Sequence, residues 1–167
     1  LDERLVARSK LIIARHNYNN GNYVRSLDLC NDIVSLTNNQ DGSEAMYMKA
    51  YFSYLEENYA ETESIIFDLA ESYSSNHWIA KGFVLLSDVY VNQDNNYQAK
   101  ATLESVIENH DGEDIVNIAR HKWEQIIEKE QSQKAKLEKE EVTISIGDSI
   151  EYKINYSDLE IDEEIND

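Results

Sequence analysis

Residues 45–69 read AMYMKAYFSYLEENYAETESIIFDL. Met46, Ala50, Ser53 and Tyr54 share one helical stripe, and Tyr59, Thr62, Ile65, Ile66 and Leu69 share a second. Two amphipathic stripes with a polar break between them describe a helical hairpin. A small residue sits inside each stripe, Ala50 in one and Thr62 in the other. Small side chains at such places let two helix backbones approach closely, while the larger ones fill the space to the next hairpin.

Working outward, the same hairpin recurs on both sides. Ala14, Ala50 and Ser87 are spaced 36 and 37 apart. Tyr23, Tyr59 and Asn96 keep the same offset, with Tyr97 beside the last, as do Ser26, Thr62 and Ala99. So do Cys30, Ile66 and Leu103, and then Ile33, Leu69 and Val106. Self-similarity at this period is the signature of stacked repeats, each unable to bury its apolar face alone. The first unit carries Leu5, Leu11, Ile12, Ala14 and Tyr18 up to the turn Asn19-Asn20-Gly21-Asn22, then Val24, Leu27, Cys30, Ile33 and Val34. The third carries Phe83, Leu86, Ser87 and Tyr90, then Ala99, Leu103, Val106 and Ile107. This predicts units at about 3–40, 43–76 and 79–112, with turn-forming linkers at Asn38–Ser43, Ser72–Asn76 and Asn109–Gly112.

The lines Ala14…Gly21-Asn22-Tyr23-Val24-Arg25-Ser26, Ala50…Asn58-Tyr59-Ala60-Glu61-Thr62 and Phe83…Leu86-Ser87…Tyr90…Tyr97-Gln98-Ala99 resemble the tetratricopeptide repeat (TPR). The stretch 45–107 is similar to the terminal repeats of large TPR proteins of Bacteroidetes-type bacteria. The resemblance covers residues 3–130 and implies an all-α, right-handed superhelical array of helix–turn–helix units. It also leans toward a periplasmic or cell-envelope setting. Two features depart from the family. The chain has no Pro, and Lys10, Met46 and Phe83 stand where the first-helix Trp belongs.

Residues 113–141 read as a capping helix, with Ile115, Ile118, Ala119, Trp123, Ile126 and Ile127 on one stripe and a charged extension beyond. Residues 142–167 form an acidic tail. Val142, Ile144, Ile146, Ile150, Tyr152, Ile154 and Tyr156 alternate strictly around Gly147-Asp148-Ser149. That predicts a hairpin over 142–156, whose apolar face needs a partner, either this chain's helical body or a second copy. Ser157–Asp167 reads as disordered.

Composition limits the functions open to the chain. Its 33 acids and 15 bases give a net charge of −18, half of it after residue 139. Such a charge repels phosphates and argues against nucleic-acid binding. No apolar run is long enough to span a bilayer. The chain opens at Leu1 with no signal pattern after it, which reads as a processed or excised piece. A single Cys, Cys30, allows neither an internal disulfide nor a multi-cysteine zinc site, and it falls in a buried apolar column.

The chemistry search predicts no enzyme, no cofactor and no metal. The four His residues have no helical i,i+4 partner His and no Cys nearby, Asn109–Asp114 reads as a turn with a helix cap, and Asp94-Asn95-Asn96 lacks the rest of a calcium loop. What remains is surface. In the TPR family the first helices line a concave groove for peptides or partner segments. Carried over by position, that groove holds Arg8, Arg15, Tyr18 and Asn19, then Tyr47, Tyr51, Tyr54 and Leu55, then Lys81, Asp88, Val91 and Asn92, with Lys122 from the capping helix. Tyr47, Tyr51 and Tyr54 fall at i, i+4 and i+7, one stripe of large side chains with polar tips. The family's carboxylate clamp is not supported, because Arg15, Tyr51 and Asp88 stand where its Asn would be. Two functions stay open: a protein-interaction scaffold, or an accessory positioning domain of a larger enzyme or envelope assembly.

Overall fold

A computed structural model of the chain describes residues 2–148, all of its regular structure helical. The helices are α1 (Glu3–Asn19), α2 (Tyr23–Leu36), α3 (Gln40–Leu55), α4 (Tyr59–Ser72), α5 (Asn76–Asn92), α6 (Asn96–Asn109) and α7 (Glu113–Asp148). Contacts divide the described chain into two units at Glu124/Gln125. In the first unit, α1 packs on α2, α2 on α3, α3 on α4, α4 on α5 and α5 on α6, and α3 also touches α1 and α5. The helices thus pack in chain order, as an all-α repeat requires.

The repeat extends into the backbone. Each first helix ends on a residue in the left-handed region: Gly21 (φ 76°), Glu57 (φ 59°) and Asp94 (φ 56°). Around them the same two hydrogen bonds recur. The amides of Asn22, Asn58 and Asn95 donate to the carbonyls of Asn17, Ser53 and Tyr90, while those of Gly21, Glu57 and Asp94 donate to Tyr18, Tyr54 and Val91. This Schellman closure satisfies carbonyls that the helix end leaves open and turns the chain back on itself. Each second helix then ends on an extended residue, Thr37, Tyr73 or His110.

Helix crossings fall on the small-residue columns. Ala14, Ala50, Ser87, Ser26, Thr62 and Ala99 are all buried. At the first crossing the Ser26 hydroxyl donates to the Ala14 carbonyl at 2.8 Å, so α2 touches the α1 backbone there. Around it Ala7, Leu11, Leu29, Cys30 and Ile33 form one core with Ala45 and Phe52 of α3. Met46, Leu69 and Tyr73 form the next, with Ile79 of α5 against it. Leu86, Leu103, Val106, Ile115 and Ala119 are buried further along.

Several expectations need correcting. Leu5 and Ile12 are 65% and 58% exposed. They stand 36 residues before Asp41 and Met48, and Met48 packs against the first pair's core. Among the described residues α1 has no preceding pair to cover the matching positions. Val24 is 79% exposed and shares its column with Ala60 and Tyr97, also exposed, because this first-turn position faces outward in every second helix. Ile118 is half exposed rather than part of a buried stripe. The segment Asn38–Ser43 is only half linker. Asn39 caps α3 by accepting from the amides of Asp41 (2.8 Å) and Gly42 (3.3 Å), and Asp41, Gly42 and Ser43 are buried in the first turn.

The second unit, taken by itself, is the remainder of α7, exposed over 131–138 with a Lys134–Glu138 pair at 3.9 Å. The helix runs past residue 141 to Asp148, so residues 142–148 are helical rather than the first strand of a hairpin. The rest of that hairpin and the stretch 157–167 lie outside the described residues. No described helix is long and apolar enough to cross a membrane.

Candidate binding surface

The tyrosine stripe of α3 belongs to a chain of touching rings. Tyr51 lies 6.1 Å from Tyr18 of α1, 6.5 Å from Tyr47 and 6.4 Å from Tyr54, centroid to centroid. Tyr47 lies 5.4 Å from Trp78 of α5. Tyr18 meets Tyr23 and Phe52, and Tyr54 meets Tyr59. The i, i+4, i+7 spacing produces this, since residues so spaced lie over one another on a helix face. Packing α3 between α1 and α5 brings the neighbouring rings alongside.

Between α1, α3 and α5, the rings of Tyr18, Tyr47, Tyr51, Phe52 and Trp78 line an open hollow of about 440 Å³. Of the sequence-predicted residues, Arg15, Tyr18, Tyr47, Tyr51 and Lys81 line it, as does Asn19. Arg8, Tyr54, Asp88 and Lys122 do not. Arg8 pairs with Asp41 at 2.6 Å, Lys122 pairs with Asp88 at 2.7 Å, and the Tyr54 hydroxyl accepts from the Asn92 side chain at 3.0 Å.

Four lining residues were not anticipated: Glu44, Met48, Phe52 and Trp78. Glu44 had a signal, because it sits in the column Arg8/Glu44/Lys81 at the repeat offset. Trp78 had none, because its column runs Leu5, Asp41, Trp78 and shares no chemical character.

The polar groups are distinct in their partners. Arg15 forks onto Glu44, Nε to Oε1 and Nη2 to Oε2, each at 2.5 Å. That bond outweighs the cost of burial and raises the guanidinium pKa further. Burial, then the neighbouring Tyr51, Tyr18 and Asp88, push the Tyr47 phenol up to about 12. Burial likewise raises Tyr18 and Tyr54. These phenols therefore stay protonated at neutral pH. The Lys81 ammonium lies 4.8 Å from the Trp78 ring centroid and 5.4 Å from that of Tyr47. The Trp78 indole nitrogen is buried and has no hydrogen-bond partner among the described residues.

The hollow can offer flat apolar surface, neutral phenols and one cation. Cys30 lies in the core with its thiol pushed up to about 12 by burial, so it is not a nucleophile at neutral pH. No family model and no curated protein matches this chain.

Proposed function

We propose that the chain is a non-catalytic protein-interaction module that takes a peptide or partner segment among α1, α3 and α5. On this reading its three helix pairs are successive units of a right-handed superhelical array of the tetratricopeptide kind, and the hollow is part of the inner surface. The observation that carries the reading is the run of rings from Tyr18 through Tyr51 and Tyr47 to Trp78 around a hollow of about 440 Å³. Buried aromatic anchors dominate binding energy at protein interfaces, and a cleft of this size suits one or two side chains.

The experiment is a pulldown with the parent and a Tyr47→Ala/Tyr51→Ala variant. The variant should keep its helical circular dichroism and lose captured partners. Unchanged recovery moves the binding site elsewhere.

A further inference from the structure

The charges around the hollow cancel in pairs with one exception. Arg8 is held by Asp41, Arg15 by Glu44 and Lys122 by Asp88. Lys81 has no carboxylate partner among the described residues; rings alone hold its ammonium. A ring face fixes a cation in place without neutralising it. In a chain of net charge −18, this leaves one positive charge without a carboxylate partner among the described residues in a ring-lined hollow. The indole N–H of Trp78 is a second donor without a partner among the described residues, and buried donors in that state are rare in folded proteins.

The geometry points to an acidic peptide as the occupant: an Asp or Glu side chain seated on Lys81, with an adjacent aromatic or leucine side chain against Tyr47, Tyr51 and Trp78. This rests on the peptide-binding reading above and names the chemistry of the partner. A carboxylate is the matching anion because it brings one negative charge to one positive charge. A phosphate would bring nearly two and place the surplus in a hollow that Glu44 also lines. A cationic segment would meet Lys81 head-on, since the three nearby acids already have partners. The apolar neighbour follows from the rings, which present area that a carboxylate alone leaves uncovered.

A phage-displayed library of random short peptides, panned on the parent protein, tests this. Selected sequences should carry Asp or Glu beside Phe, Tyr, Trp or Leu. A synthesised winner should lose about tenfold in affinity when its acid is changed to the amide, and by a similar factor on Lys81→Met. The two changes together should cost little more than either alone, and Lys81→Arg should retain binding. Thermal melting of each variant shows that it is folded. If winners lack acids but still depend on Tyr47 and Tyr51, the acid preference is wrong and the groove stands. Acidic winners indifferent to Lys81→Met also overturn the proposal. If no sequence is enriched above background, the groove reading falls and the acidic partner falls with it.

Discussion

Gly21, Glu57 and Asp94 occupy one backbone conformation, yet only the first is the residue that adopts it freely. A Cβ at Gly21 would meet nothing within 4 Å, so any cost of adding one there is conformational and not steric crowding. Gly21→Ala should therefore destabilise by about 1 kcal/mol, and Glu57→Gly should stabilise by about 0.5–1 kcal/mol. Urea denaturation of the two variants checks both signs. The small-residue columns were legible in the sequence because close helix approach admits only small side chains, and such positions recur at the repeat offset. The left-handed positions were not, because Gly, Glu and Asp share no pattern of size or polarity. At the ring-lined hollow the same rule separates what could be read. Tyr47 and Tyr51 fell on one stripe by helical spacing, and Arg15 and Lys81 were placed beside them by the tetratricopeptide resemblance. Trp78 reaches the hollow only through the packing of α5 on α3, which no single column encodes. Asp88 and Lys122 were placed on the right helices, but they bond to each other instead of lining the hollow.

At the scale of the helix, α3 is the element on which the rest depends, since it touches α1, α2, α4 and α5. Its first turn is wedged against the end of α2. A Cβ on Gly42 would lie 2.2 Å from the Thr37 carbonyl oxygen and 2.9 Å from the Tyr73 ring. The first of these is backbone and cannot swing aside. Gly42→Ala should thus cost about 1–3 kcal/mol, read as a lower urea midpoint, although alanine favours helix over glycine at an open site. The sequence misplaced this turn because Asn, Asp, Gly and Ser serve both loops and helix starts. Asn39 proved to be the cap, which moved Gln40, Asp41, Gly42 and Ser43 from the linker into α3. The reading of 142–146 as the first strand of a hairpin failed for another reason. Alternating Val142, Ile144 and Ile146 is a real β signal, but a helix already formed through residue 141 adds each further residue at little cost. A lone hairpin has no comparable support.

For the whole molecule, burial and charge act together at high pH. In the folded state Cys30, Tyr47 and Tyr90 hold their protons up to about 12, each raised first by burial, against ordinary values of 9.0 for the thiol and 10.0 for the phenols. Above pH 9.0 the unfolded chain then binds fewer protons than the folded one, so stability falls as pH rises, and the contribution of these groups is lost by about 12. Urea midpoints across that window should decline, and Tyr47→Phe should flatten the decline. A curve that stays level would mean that the fold does not raise these groups above their ordinary values. Chain-order packing has a mechanical side as well. Among α1–α6 no helix touches one more than two places along, so a pull on the ends of this stretch meets a series of short, separate seams that give way one hairpin at a time. The hollow is the exception, because its wall draws on α1, α3 and α5 together. Anything seated there fastens three hairpins with one clasp, so the occupied protein should hold to a higher force and then part all at once.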